Sequence, residues 1–169
     1  MFQQLLREES VRLGIEAKNQ KELLTQMIDY LPGWELDAEK KESLLHLLLA
    51  RERFGTTALG EGLALPHGIF SGITCPMACL VINREGLPFP SLDGALVHIA
   101  FLLVLPETED SDREKRKILH SAESFFRDRF LMERLKIAES ASEAYEVILR
   151  EGHHMTEVFN RVQAAGARA

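Results

Sequence analysis

Apolar and polar positions alternate first at Val11, Leu13 and Ile15, against Arg12, Gly14 and Glu16, and this period of two predicts a strand with one polar face. Before it, Met1 to Arg7 could form a short helix with Phe2, Leu5 and Leu6 as its apolar contacts. After it the period changes. Leu23, Leu24, Met27, Ile28 and Leu31 fall on one helical face, Asn19 stands at the N-cap position, and Pro32-Gly33 ends the run. Asp37 caps a second predicted helix through about Arg53, with Leu44, Leu47, Leu48 and Arg51 on one side. Met77 to Ile82 and Val97 to Leu105 are apolar on both faces, the pattern of central strands covered above and below. Between them Gly86-Leu87-Pro88-Phe89-Pro90 and Asp93-Gly94 predict a loop or irregular hairpin, and Pro106 ends the second strand.

The last third is helical. A helix from Ser111 or Asp112 buries Ile118, Leu119, Ala122, Phe125 and Phe126. A second piece covers Phe130 to Leu135. Ser140 or Ser142 caps a third over Ala144 to Leu149, and Gly152 is read as its break. Met155 to Ala165 could add an amphipathic helix before a fraying end. This order predicts one α/β domain: a single mixed parallel/antiparallel β-sheet flanked by helices on both faces. The domain is assigned to residues 1–152, with 153–169 as a C-terminal helical extension or tail. No internal repeat or linker divides it.

Composition narrows the function. The 169 residues are 46% hydrophobic and 27% charged, enough for one globular core. A net charge of −6 argues against nucleic acid or an anionic membrane surface as the main partner. No apolar run approaches the roughly 20 residues of a membrane span, and Met1 to Glu9 does not resemble a signal peptide. Cys75 and Cys79 have no metal-ligand spacing to the histidines and are read as reduced thiols of a cytoplasmic protein. His153-His154 has no third ligand nearby, so no metal is expected; nor is any cofactor.

One stretch carries candidate chemistry: Arg51-Glu52, Thr56-Thr57, then Gly60-Glu61-Gly62-Leu63-Ala64-Leu65-Pro66-His67-Gly68. The glycines permit positive φ and close approach by a ligand. Pro66 restricts the backbone before His67, and Gly68 leaves room after it. The expectation is a histidine at the end of a buried strand, ring held and tip exposed, as a nucleophile requires. His98, near the start of an apolar strand, reads as a satisfied core or strand-edge residue.

The stretch resembles the phosphorylation-site signature of the fructose/mannitol-type enzyme IIA proteins of the bacterial phosphotransferase system, a family that includes nitrogen-regulatory members. Ala58 stands where that signature usually has glycine. The resemblance extends through the apolar strands, Leu105-Pro106 and Glu133-Arg134-Leu135 to near Gly152. It implies that His67 accepts a phosphoryl group from the phosphohistidine of a small histidine phosphocarrier protein, and that the acceptor is a IIB domain or, in regulators, a target protein responds instead. No nucleotide-binding loop is present, which argues against ATP as the direct donor.

Such a site needs an exposed unprotonated nitrogen, an acceptor for the other ring nitrogen, and donors or cations for the transferring group. A backbone carbonyl is a plausible acceptor. Arg51, the Thr56 and Thr57 hydroxyls and the glycine-loop amides are candidates for phosphate; Arg51 could alternatively serve only its helix C-terminus. Leu59, Ile69 and Phe70 are candidates for an apolar docking rim. The family usually carries a second histidine on the helix after the last strand. Alignment back from Glu133-Arg134-Leu135 puts Lys115 there, on the face of Ile118 and Leu119, whereas His120 points to solvent. Lys115 is therefore a candidate phosphate-stabilising cation, with a snorkelling surface lysine as the plain alternative. The departure also keeps open a second function, a regulatory protein-binding module without phosphotransfer.

Overall fold

The computed structural model describes residues 2–32 and 36–152. The expected sheet with helices on both faces is present. Its strands are β1 (Val11–Leu13), β2 (Ala58–Gly60), β3 (Leu63–Ala64), β4 (His67–Ile69), β5 (Met77–Leu87) and β6 (Val97–Leu105). The helices are α1 (Gln20–Asp29), α2 (Ala38–Arg53), α3 (Ser111–Phe126), α4 (Arg129–Ile137) and α5, helical from 141 to the last described residue, 152. The strand order is β1-β5-β6-β3-β2, with β4 also on β6. β5 and β6 are antiparallel, whereas β1 on β5 and β3 and β4 on β6 are parallel.

Caps fall where the short polar side chains predict them. Asn19 accepts from the Glu22 amide at 2.9 Å, Asp37 from Lys40 at 2.9 Å, Asp128 from Leu131 at 2.9 Å, and Ser140 from Glu143 at 3.1 Å. Side-chain parity along β6 divides the core. Ile99, Phe101, Leu103 and Leu105 face α3, α4 and α5; Ala100, Leu102 and Val104 face α1 and α2.

Four expectations are corrected. The first residues form two short 3-10 turns, Phe2–Leu5 and Glu8–Ser10, rather than a helix; Phe2 instead buries its ring beside Phe101 and Phe125, at centroid distances of 5.5 and 5.1 Å. β5 continues to Leu87, into the expected loop, because the Asn83 side chain accepts from the Glu85 and Gly86 amides and carries the chain through a register shift. α5 is still helical at Gly152, where a break was expected; this glycine is buried, and a Cβ there would stand 2.5 Å from Gln3 Nε2. Leu119 is half-buried where full burial was expected. The expected extension over 153–169 lies outside the described residues.

Candidate functional site around His67

β3 and β4 are one strand along β6, interrupted at Leu65-Pro66; β2 covers the outer side of β3, so only β4 lies at the sheet edge. Leu63 pairs with Ile99 and Ala64 with Ala100, and the same offset resumes with His67 on Leu103. The Leu103 amide donates to the Pro66 carbonyl at 3.0 Å, so Pro66 turns its polar groups towards β6 and its missing N–H removes one ladder bond there. Leu65 faces the other way, its amide donating to the Thr57 carbonyl at 3.0 Å. His67 thus opens a strand segment rather than closing a buried strand. Parity places its side chain with Leu63 and Leu65 on the α3 side, while Gly68 faces α2.

The His67 ring is half-buried, and Nδ1 lies 2.8 Å from the Leu65 carbonyl oxygen. A carbonyl only accepts, so Nδ1 carries the proton and Nε2 keeps its lone pair. Nε2 has no hydrogen-bond partner among the described residues, and none of their buried side-chain nitrogens or oxygens lacks one; Nε2 therefore reaches the surface. Burial holds the ring below its ordinary pKa of 6.5, against the Leu65 hydrogen bond, and the charges of Arg51 and Lys115 push it the same way as burial. The neutral ring is the nucleophilic form.

Both cations come from helices on the two sides of β4. Arg51 is half-buried in the last turn of α2, and its Nη1 donates to the Gly55 carbonyl at 2.9 Å, leaving the rest of the guanidinium fork uncommitted. Lys115 is half-buried on α3 and its Nζ meets Asp112 Oδ1 at 2.6 Å. His120 is exposed. Asp112 as a partner of Lys115 was not foreseen from the sequence, although its spacing of three on one helix face is legible there.

The two threonines do not take the places expected of them. Thr57 is buried and its hydroxyl donates to Glu52 Oε1 at 2.5 Å, while its amide donates to Glu52 Oε2 at 3.0 Å. The Thr56 hydroxyl donates to the Pro90 carbonyl and accepts from the Ala58 amide at 3.0 Å. Each hydroxyl proton is already used, so these side chains hold the loop rather than offer donors to a phosphate. Glu52 is the anchor that sequence reasoning missed. Of the expected apolar rim, Phe70 packs into the core under α1 and α2, whereas Leu59 and Ile69 are half-buried. Phe54, at the end of α2 three residues beyond Arg51, is 92% exposed.

No group of three metal-ligating side chains occurs among the described residues, and no helix among them is long and apolar enough to cross a membrane.

Comparison with known proteins gives the same picture. A nitrogen regulatory protein of Pseudomonas aeruginosa is 27% identical over 137 residues, covering 81% of this chain and 87% of that one. The fructose-specific EIIABC component of Bacillus subtilis is 27% identical over 105 residues, 62% of this chain but 16% of that much longer protein. Among solved structures, the nitrogen regulatory protein IIA-Ntr of Neisseria meningitidis superposes with a TM-score of 0.74 at 26% identity, covering 86% of this chain and 97% of the other. The mannitol IIA of Escherichia coli shares the fold, with a TM-score of 0.66 at 19% identity over 85% of this chain and 98% of that one. Residues 4–151 match the family model described as phosphoenolpyruvate-dependent sugar phosphotransferase system, EIIA 2, and the chain belongs to that family.

Proposed function

We propose that this chain is a phosphoryl carrier in which His67 Nε2 accepts the phosphoryl group of a phosphorylated histidine phosphocarrier protein. The observation that carries this reading is the 2.8 Å contact between Nδ1 and the Leu65 carbonyl, which fixes the tautomer with its lone pair on the accessible nitrogen. In the transfer, the Nε2 lone pair forms the new N–P bond as the donor's N–P bond breaks, and the electron pair of that bond returns to the donor imidazole. No proton need move when the donor's other ring nitrogen carries one: the donor then leaves as neutral imidazole, Nδ1 of His67 keeps its own proton as the ring becomes a phosphoimidazolium, and the Leu65 carbonyl receives a stronger hydrogen bond. Arg51 and Lys115 supply positive charge on either side of the incoming group. The onward acceptor is a IIB domain or, for a regulator, a target protein that distinguishes the two states.

A regulatory role of the nitrogen type, in the cytoplasm, has the better support. Most of the relatives matched over most of their own length are nitrogen regulatory proteins, including that of Bradyrhizobium diazoefficiens at 27% identity over 92% of its chain. Of the fructose-type relatives, the EIIABC component is matched over 16% of its length only, whereas a freestanding fructose-specific EIIA component of Haloferax volcanii is matched over 79% of its own at 25% identity. The test is incubation with enzyme I, phosphocarrier protein and phosphoenolpyruvate, followed by intact mass. One acid-labile phosphate is expected, lost in His67→Ala and retained in His120→Ala; label that survives in His67→Ala would refute the assignment.

A second reading is a regulatory binding module without phosphotransfer. The lysine at position 115, clasped by Asp112, favours it, since a flexible point charge orients a phosphate less well than a fixed ring donor. Wild-type protein that takes up no phosphate in the same experiment would select this reading.

A further inference from the structure

We infer that the chain carries a second binding site, for a small organic oxyanion, in a cleft floored by His98 beside the start of β3, at the other end of the β3–β4 strand from His67. The inference is independent of phosphotransfer. His98 precedes Leu103, the register partner of His67, by five positions on β6, so the two sites are separated by roughly 16 Å at about 3.3 Å per residue.

The sheet is locally deformed to aim this histidine. The amides of His98 and Ile99 both donate to the single carbonyl of Gly62, at 2.7 and 2.9 Å. Two residues opposite one define a β-bulge, a device that re-aims a side chain. Its effect is visible in the core: Val97 packs with the α1 and α2 side, and so does Ala100, whereas Ile99 faces α3 and α4. The bulge sets His98 beside Ile99, opening on α4. The ring is clamped between two glycines with positive φ. A Cβ on Gly62 would come 2.9 Å from His98 Cδ2, and one on Gly86 3.2 Å from Cε1. Nδ1 lies 3.0 Å from the Asn83 carbonyl, and since a carbonyl only accepts, Nδ1 carries a proton. Nε2 has no partner among the described residues and, by the same reasoning as for His67, is open to solvent. The turn above is strained: Gly60, Glu61 and Gly62 all have positive φ, with Glu61 at 54°.

The cleft encloses about 430 Å³, within the range of small-molecule sites. Arg127, Arg129 and Lys136 converge on it from the end of α3 and from α4, and Leu96 and Met132 supply apolar wall. Carboxylates engage two of these cations: Arg127 meets Glu123 at 3.0 Å and Glu61 at 3.4 Å, and Lys136 meets Glu133 at 3.0 Å, whereas Arg129 has no partner among the described residues. An unpaired guanidinium, a second cation with a largely covered stem and an apolar wall suit a carboxylate or phosphate attached to a compact carbon skeleton.

The test is a titration of the isotope-labelled full chain with inorganic phosphate and, separately, with succinate, at constant ionic strength held with chloride. One of the two should shift the amides of Gly60 to Leu63 and the His98 ring protons saturably; which one does so tells a phosphoryl from a carboxylate ligand. Arg129→Gln, a change at an exposed position, should weaken that binding by about tenfold, the loss of one charge-assisted contact. Arg53→Gln, an exposed cation elsewhere, should not. Shifts that follow ionic strength alone, that are equal in both variants, or that centre on His67 overturn the inference. So does saturation by an acidic peptide with no response to either anion, which would make the cleft a protein contact.

Discussion

The carbonyl oxygen of Leu65 and Nδ1 of His67 lie 2.8 Å apart, with Pro66 between the two residues. Leu65 cannot use that carbonyl on β6, since it faces away from the sheet, and the ring two residues later folds back onto it. The histidine tautomer is thereby set by the strand's own backbone. Long-range nitrogen–proton spectra of the ring should show the Nδ1–H form as the single neutral tautomer. A mixture of tautomers, or an Nε2–H form, would remove the mechanism proposed for the site.

The depressed pKa of His67 has a defined pH signature. Burial, Arg51 and Lys115 all oppose protonation in the folded chain, so between the folded pKa and about 6.5 the unfolded chain binds more protons. Stability therefore rises with pH across that window. The contribution is fully present above 6.5 and is lost as pH falls through the folded value. Arg51→Gln and Lys115→Met should each raise the His67 pKa, and move the acid limb of the phosphorylation rate upward with it. Ring-proton titrations by NMR measure the first effect directly; a pKa at or above 6.5 in the wild-type chain contradicts the electrostatics described.

Glu52 should matter to stability more than its exposed neighbours. Its carboxylate accepts from the Thr57 amide, the Thr57 hydroxyl and Gln20 Nε2, tying the loop before β2 to α1. Glu52→Ala leaves the buried Thr57 hydroxyl without its acceptor and should cost about 1–3 kcal/mol in urea unfolding. Arg53→Ala, one residue on, should change stability by no more than about 0.5 kcal/mol. Equal effects of the two would mean that Glu52 is not the anchor.

The mixed sheet with helices on both faces was legible because it rests on local signals. Period-two and fully apolar runs marked β1 and β6, and Asn19, Asp37 and Ser140 marked helix starts. Parity of a lysine with Ile118 on a helix placed Lys115 inward and His120 outward. What could not be read depended on contacts distant in sequence. Thr56 is drawn away by Pro90 and Thr57 by the end of α2, and nothing about two threonines in a turn reveals which acceptor will claim their protons. The extension of β5 rests on Asn83, whose Nδ2 also donates to the Ile15 carbonyl at 2.6 Å, across 68 positions. The re-aiming of His98 is a property of a bulge, and the alternation of its strand hides it. Gly152 reads as a helix break, yet it is the one residue small enough to lie against Gln3.

Asp112 should set how much of the Lys115 charge reaches a phosphate on His67. The ion pair is short, 2.6 Å, and lies in the first turn of α3, with the Asp112 side chain 69% exposed and that of Lys115 only 23%. The hydrogen bond from Lys115, together with its charge, holds the Asp112 carboxyl below the ordinary carboxylate range, so Asp112 stays ionised throughout the pH range in which His67 titrates. A phosphoryl group on Nε2 must compete with that carboxylate for the same ammonium. Removing the competitor should favour the phosphorylated form: Asp112→Asn is expected to lengthen phosphohistidine lifetime by roughly two- to fivefold, the modest scale of an exposed ion pair. Lys115→Ala should shorten it by a similar factor and raise the His67 pKa, while His120→Ala, on the solvent face, should change neither. In the double variant Asp112→Asn, Lys115→Ala, the effect of Asp112→Asn should vanish, because it acts only through the lysine. Decay rates of the phosphorylated protein, with NMR titration of His67 in the unphosphorylated one, separate these outcomes. If Asp112→Asn acts equally well without Lys115, the clasp is incidental, and the lysine's role at the site must be argued without it.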